Sequence, residues 1–181
     1  MSKKIVITTE QFESLVSEYT RTLKDARRNK KGSHFSANAI KTNPLRFRPA
    51  QREGIENKIL YSAVVLDEDS HRKLLDTFAD LIPEGWKEYA HHMTIVFGSG
   101  VSEEQKEDIG KEFPLKVKEI GVSDDAIAVK VEGYPSQNTI PHITVATSPE
   151  GKPKMSNDIK DWHILKEPMT LNGTVYEIAA R

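Results

Sequence analysis

Two short strings of the sequence combine residue types that can do acid–base chemistry on a phosphate. His92-Met-Thr94 and His142-Ile-Thr144 each place a threonine two residues after a histidine, and apolar residues follow. The apolar runs predict β-strands, in which residues i and i+2 point to the same face. Each string therefore presents an imidazole beside a hydroxyl, and the four groups converge on one cleft if the two strands are neighbours.

Such a quartet can cleave a phosphodiester without a metal ion. Histidine ionises near pH 6.5, so one imidazole can take a proton from the attacking oxygen while the other protonates the leaving oxygen. The threonine hydroxyls can donate hydrogen bonds to the non-bridging phosphate oxygens as charge develops there. We expect no metal and no cofactor, because the His-Glu-x-x-His pattern of zinc hydrolases does not occur.

The register of the first string has to be chosen, because His91 precedes His92. Only His92 has a threonine two residues later, so we expect His92 to react and His91 to point to the opposite face as a structural residue. A third string, His34-Phe-Ser36, has no apolar run after it and is left out of the site. Which of His92 and His142 is the acid and which the base stays open.

The elements around the two strings predict an α+β domain with a mostly antiparallel sheet. Ser70 is expected to cap a helix that Pro83 ends, and a capping box of Ser102 and Gln105 to open a second helix ending near Phe113. These helices give two strand–helix–strand units, each ending in a histidine strand. The β-branched and aromatic runs predict strands near residues 59–66, 92–97, 115–120, 126–131, 140–146 and 173–178.

The 181-residue chain divides by charge into two parts. Residues 1–58 hold 13 Lys and Arg against 6 Asp and Glu, whereas residues 59–181 hold 13 against 21. The first part combines an amphipathic helix with an irregular basic arm, and the second is the domain that carries the histidine strings. Two interpretations stay open: the arm meets an anionic partner, with Arg46 and Arg48 closing over the site, or it packs on its own acidic domain.

Composition excludes several classes of protein. The chain has no cysteine, which excludes disulfide scaffolds, thiolate metal sites and cysteine nucleophiles. No apolar run approaches the roughly 20 residues that span a bilayer, and the first apolar stretch is too short for a signal peptide. We expect a cytoplasmic protein that does not bind membranes, and its oligomeric state stays open.

With its two His-x-Thr strings the sequence resembles the 2H phosphoesterase superfamily, in which two such motifs lie on central strands of a two-lobed α+β fold. The resemblance covers residues 59–180, and the 50-residue interval between the two histidines implies a compact second lobe. It implies that His92 and His142 are the acid–base pair and that Thr94 and Thr144 bind phosphate.

The implied activity is a metal-independent phosphodiesterase acting on RNA-type phosphoesters. The substrates of such enzymes are 2′,3′-cyclic phosphate ends, 2′-5′ linked oligonucleotides and cyclic oligonucleotides. Some oligonucleotides of the last two kinds are defence signals, which viral members of the superfamily destroy. The alternative is a module of the same fold that binds a nucleotide or RNA without cleaving it. The expected partner is in either case a nucleotide, a cyclic oligonucleotide or an RNA end.

Further residues are candidates for contacting the substrate. The loop of residues 148–161 leaves the second string at the edge where a ligand would enter, and it either contacts the ligand or forms an ordinary turn with a helix cap. Aromatic side chains near the strings either stack on a nucleobase or pack in the core. The candidates are Tyr61, Trp86, Tyr134, Lys152, Lys154, Ser156 and Asn157.

Overall fold

The structure is a computed structural model that describes residues 6–8 and 58–180. The strands are β1 (Val6–Thr8), β2 (Ile59–Leu66), β3 (Lys87–Glu88), β4 (His92–Phe97), β5 (Glu112–Val122), β6 (Ala126–Glu132), β7 (His142–Thr147) and β8 (Trp162–Ala179). The α-helix within 58–180 is α1 (Glu68–Phe78), and 3₁₀ turns span Ala79–Leu81, Glu103–Asp108 and Pro153–Asp158. The predicted N-terminal helix and the arm with Arg46 and Arg48 lie outside the described residues, so the division into a segment 1–58 and a domain 59–181 stays a prediction.

The sheet closes on itself. Its strand order is β1-β8-β2-β4-β7-β6-β5, and β5 also pairs with β8, so the strands from β8 to β5 form a barrel. The 18-residue strand β8 makes this closure possible because its first part pairs with β5 and its last part with β2. These pairings are antiparallel, whereas β1 joins β8 in parallel. The predicted α+β class with a mostly antiparallel sheet is confirmed.

One face of the histidine strands forms the core. Met93, Ile95, Ile143 and Val145 are buried and belong to one hydrophobic cluster, on which α1 packs with its apolar face. Full burial of each such side chain contributes about 1.5–3 kcal/mol. The core therefore fixes which face of β4 and β7 is internal, and their alternate residues are left for the other face.

Helix α1 begins earlier and ends earlier than the sequence predicts. Its N-cap is Asp67, whose Oδ1 accepts a hydrogen bond from the Ser70 backbone N–H at 2.7 Å, because a carboxylate directly after β2 is a good cap. Ser70 instead accepts a hydrogen bond at its Oγ from the Asn172 backbone N–H at 2.8 Å, which ties α1 to β8. The helix ends at Phe78, and a 3₁₀ turn leads on towards Pro83.

The second predicted helix is a 3₁₀ turn, so the expectation of two strand–helix–strand units was wrong. The Ser102 backbone N–H donates to Gln105 Oε1 at 3.3 Å, as a capping box requires. The turn stops at Asp108 because Gly110 follows with a φ of 83°, and Phe113 already belongs to β5. None of the helices in the described part of the chain has the length and the hydropathy of a membrane-spanning segment.

Candidate active site

The two His-x-Thr strings lie on neighbouring strands. β4 and β7 are antiparallel partners, with Met93 opposite Ile143 in the core. This register puts His92 across from Thr144 and Thr94 across from His142, on the face that the core leaves free. The expected convergence is thus produced by one strand pairing, and each imidazole has a hydroxyl both along its own strand and across the sheet.

The four side chains line one cavity of about 590 Å³. This volume lies within the range of roughly 300–1,000 Å³ that is usual for small-molecule sites. Its walls are mainly aromatic, amide and apolar groups, and the cationic side chain among the described lining residues is Lys154. The other lining residues are Tyr61, Tyr89, His91, Phe97, Asn138, Pro153 and Asn157.

His142 is oriented by the backbone just before its own strand. Its Nδ1 lies 2.8 Å from the Ile140 carbonyl oxygen, and since a carbonyl only accepts, Nδ1 carries a proton and donates it. Nε2 is therefore the ring nitrogen left to exchange a proton in the cavity. Burial lowers the pKa of His142, and the hydrogen bond to Ile140 opposes this shift in part.

His92 is held against Tyr61 of the neighbouring strand. The two rings stack with centroids 5.4 Å apart and an interplanar angle of 28°. Burial, and to a lesser extent the nearby imidazole of His142, together lower the pKa of His92 to about 4. At neutral pH the free site therefore holds mostly uncharged imidazoles, and an anionic ligand would favour the protonated form of one of them.

His91 contradicts the expectation that it points away from the site. Because β4 begins only at His92 and Ala90 has a positive φ of 59°, the strict alternation of a strand does not apply at this point. His91 lines the same cavity as His92, while its ring stacks on His71. Burial lowers the pKa of His91 to about 2, so its imidazole is neutral throughout the physiological range.

The loop after the second string contacts one of the two threonine hydroxyls of the quartet. Thr144 Oγ1 lies 2.9 Å from Ser156 Oγ and 3.3 Å from the Pro153 carbonyl oxygen. Ser156 is only 1% exposed, so it holds Thr144 from behind instead of facing the cavity. Asn157 and Lys154 do line the cavity, and the Asn157 side-chain amide donates to the Lys154 carbonyl at 3.0 Å.

Besides Ser156, three further sequence candidates do not reach the cavity. Lys152 is exposed outside it, just before the Pro153–Asp158 turn. Trp86 packs against the main core cluster and Tyr134 belongs to it. The Tyr134 hydroxyl donates to Asp108 Oδ2 at 2.9 Å, and its ring meets Phe113 edge-to-face at 4.7 Å. Neither aromatic ring is available to stack on a ligand in this cavity.

Phe97 also lines the cavity, although the sequence pattern does not predict it. It lies opposite Tyr61 on the β2–β4 ladder, and it is 83% exposed at the cavity. A register shift leaves Ile95 and Val96 both buried, which reverses the alternation so that Phe97 returns to the face of Thr94. A plain period of two would have assigned that face to Val96.

Asn138 and Tyr89 also line the cavity, and the sequence pattern predicts neither of them as a site residue. The Ser136 hydroxyl donates to the Thr94 carbonyl at 2.7 Å and accepts from the Asn138 backbone N–H at 3.1 Å. This turn anchors the segment before β7 on β4 and sets Asn138 into the cavity. The Pro-Ser-Gln-Asn sequence at residues 135–138 is a turn signal, but a turn does not reveal which strand it will contact.

Similarity to known proteins extends over most of this region. The sequence model of the fungal tRNA ligase phosphodiesterase domain matches residues 71–180, a span that includes all four residues of the quartet. A solved structure described as a fungal RNA kinase aligns with 95% of this chain at 11% identity and a TM-score of 0.48. The chain spans 58% of that structure's length. No curated protein sequence matches the chain significantly.

Proposed function

The chain belongs to the fungal tRNA ligase phosphodiesterase domain family, a 2H phosphoesterase-type domain, and we propose that it cleaves RNA-type phosphodiesters with the quartet His92, Thr94, His142 and Thr144. Membership of this family supports phosphoester processing on RNA. The assignment of roles to the four residues is our proposal. The observation that carries it is the antiparallel register of β4 and β7, in which Met93 faces Ile143 and the two His-x-Thr pairs become neighbours on one cavity.

The proposed reaction is hydrolysis or transfer at a phosphodiester with two proton movements. One imidazole accepts the proton of the attacking water or ribose hydroxyl, and the other, protonated beforehand, donates to the leaving ribose oxygen. For His142 the nitrogen that exchanges the proton is Nε2, because Nδ1 is engaged with the Ile140 carbonyl. Thr94 and Thr144 donate hydrogen bonds to the non-bridging oxygens, where negative charge increases in the transition state. Thr144 does so by exchanging its 3.3 Å hydrogen bond to the Pro153 carbonyl for one to the phosphate.

Charge and shape support a ligand that carries a single phosphodiester. Lys154 is the cationic lining residue within the described part of the chain, and the surrounding walls carry few charges. Tyr61 and Phe97 offer neighbouring aromatic rings at the cavity, on which a nucleobase can stack. We propose 2′,3′-cyclic phosphate ends, 2′-5′ linked oligonucleotides and cyclic oligonucleotides as the substrates to test, the last two because viral enzymes of the superfamily destroy such signals.

The test is a panel of these substrates with product analysis by chromatography. The full chain is incubated with an RNA ending in 2′,3′-cyclic phosphate, a 2′-5′ linked oligoadenylate and a cyclic dinucleotide, with and without EDTA. We expect turnover of at least one substrate, no effect of EDTA, and loss of turnover in His92→Ala and His142→Ala while both variants unfold at the wild-type temperature. Full activity of either variant would refute the proposed roles.

A binding module that does not cleave its ligand is the alternative from another class. It would bind a nucleotide or RNA in the same cavity and release it unchanged. Two imidazoles aligned with two hydroxyls favour catalysis, because binding alone does not need a proton donor and a proton acceptor. Recovery of every panel member intact after hours, together with measurable affinity, would favour the module.

The basic segment is proposed to assist an anionic substrate. Its arginines, Arg46 and Arg48 among them, would supply the positive charge that the acidic domain lacks. The charge-reducing variant Arg46→Gln/Arg48→Gln should raise KM at low salt and change kcat little, and an unchanged KM would favour packing of the arm on its own domain.

A cytoplasmic location stays a prediction from the cysteine-free composition.

A further inference from the structure

The chain enters the first histidine strand through a strained residue. Ala90 has a φ of 59°, in the left-handed region that residues with a Cβ rarely adopt. It is fully buried, and the two residues after it both line the cavity. Strain of this kind persists only where the surroundings hold the backbone in place. The contacts of Ala90 therefore show what sets the positions of His91 and His92.

Ala90 is held from two sides. From β7, the Thr144 carbonyl accepts a hydrogen bond from the Ala90 backbone N–H at 2.8 Å. From α1, His71 Nδ1 lies 2.8 Å from the Ala90 carbonyl oxygen and so donates to it. One peptide is thereby fixed between the strand that carries Thr144 and a helix side chain that is itself only 2% exposed.

The same histidine also supports the ring of His91. The imidazoles of His71 and His91 stack with centroids 4.6 Å apart and an interplanar angle of 16°. Burial lowers the pKa of both, so the stacked rings are neutral and do not repel each other. His71 thus makes two contacts with the segment that leads into β4, one to its backbone and one to the side chain that faces the cavity.

We propose that His71 is a positioning residue for the proposed reaction: its hydrogen bond to Ala90 and its stack on His91 hold the left-handed turn that brings His91 and His92 to the same cavity. His91 then lines the cavity beside His92 as a third imidazole and does not transfer the reacting proton. This inference rests on the proposed function, because positioning matters only if His92 reacts.

The proposal predicts which substitutions at these positions rescue each other. Leucine at position 71 removes the donor to the Ala90 carbonyl, whereas the side-chain amide of asparagine can occupy the place of Nδ1 and donate in its stead. Glycine adopts a positive φ without the Cβ penalty, so Ala90→Gly should make the turn less dependent on His71. A residue that only filled space would not be rescued by a glycine at a different position.

The experiment compares kcat and KM of His71→Leu, His71→Asn and His71→Leu/Ala90→Gly with the wild type on the substrate that the panel identifies. We expect His71→Leu to lower kcat by about tenfold or more with KM changed by less than about threefold, because misplacement of a reacting group affects the chemical step. His71→Asn and the double variant should each recover most of the loss. His163→Leu, at an exposed position of β8, is the matched control.

Two results would overturn the proposal: wild-type kcat in His71→Leu, or a loss of kcat that neither His71→Asn nor Ala90→Gly recovers. Crystal structures of the same variants give a readout that does not need turnover. We expect residue 90 to leave the positive-φ region in His71→Leu and to stay there in His71→Asn. If φ at Ala90 and the ring of His91 do not move in His71→Leu, the positioning role of His71 is refuted, even if the wild type is active. If no substrate of the panel is turned over, that result counts against the proposed function alone.

Discussion

Protonation of the site should depend on whether a phosphate is bound. With a pKa of about 4, His92 of the free protein is protonated to only about one part in a thousand at pH 7. A unit negative charge about 4 Å from the ring is worth roughly 4 kcal/mol at an effective dielectric constant of about 20. Since one pKa unit corresponds to about 1.4 kcal/mol, the bound phosphodiester should raise the pKa of His92 by about three units, to near 7.

The kinetic consequence is a difference between two pH profiles. The profile of kcat/KM reports ionisations of the free enzyme, and that of kcat reports ionisations of the complex. We expect the limb that falls with rising pH to have an apparent pKa well below 6.5 in kcat/KM and near 7 in kcat. Because His92 and His142 interact, these values belong to the pair and not to one residue.

Imidazole NMR can assign the shift to His92 directly. In the free protein its ring resonances should titrate near pH 4, and with a saturating 2′-nucleotide product they should titrate near pH 7. His142→Asn is the matched variant: it removes the second cause of the low pKa, so the pKa of free His92 should rise towards its usual value. A pKa of 6.5 or more for His92 in the free wild type, or no shift on binding, would refute the reasoning.

Three further predictions concern single side chains. Ser156→Ala removes the 2.9 Å hydrogen bond to Thr144, worth about 0.5–1.5 kcal/mol, so kcat/KM should fall about 2- to 12-fold; an unchanged value would show that Thr144 needs no support. Phe97→Ala should raise KM about 5- to 150-fold if a base stacks there at about 1–3 kcal/mol, with no change in Tm because the ring is exposed; an unchanged KM would remove Phe97 from the site. Gly173→Ala would put a Cβ 2.8 Å from Val64 Cγ1 and should lower the free energy of unfolding by about 1–3 kcal/mol, measured by urea titration. A wild-type urea midpoint for Gly173→Ala would contradict this packing.

The histidine quartet could be predicted because its signal is local. A period of two places His92 with Thr94 and His142 with Thr144 whatever the partner strands are. The period fails where the backbone is irregular, and that irregularity cannot be read from residue types. Strict alternation predicts that Phe97 and His91 both point away from the site. The register shift at Ile95 turns Phe97 to the site face, and the left-handed conformation of Ala90 turns His91 there.

Closure of the sheet depended on contacts that the sequence does not display. β8 is an 18-residue strand that contains Pro168, a residue that argues against a strand interior, so only its last part was predicted. The β5–β8 ladder shifts register near this proline, which allows the strand to continue past it. Trp86 and Tyr134 were candidates for stacking because they precede the strings, but proximity in sequence could not show that both would pack in the core.

The most direct test of the central claim is a double-variant cycle on the two histidines. Turnover is measured for wild type, His92→Ala, His142→Ala and the double variant on one substrate at one pH, with unfolding temperatures confirming that all four are folded. If the imidazoles act as one acid–base unit, each single loss removes the mechanism and the double variant is about as slow as either single variant. Substantial turnover in a single variant, or losses that multiply in the double variant, would contradict the account.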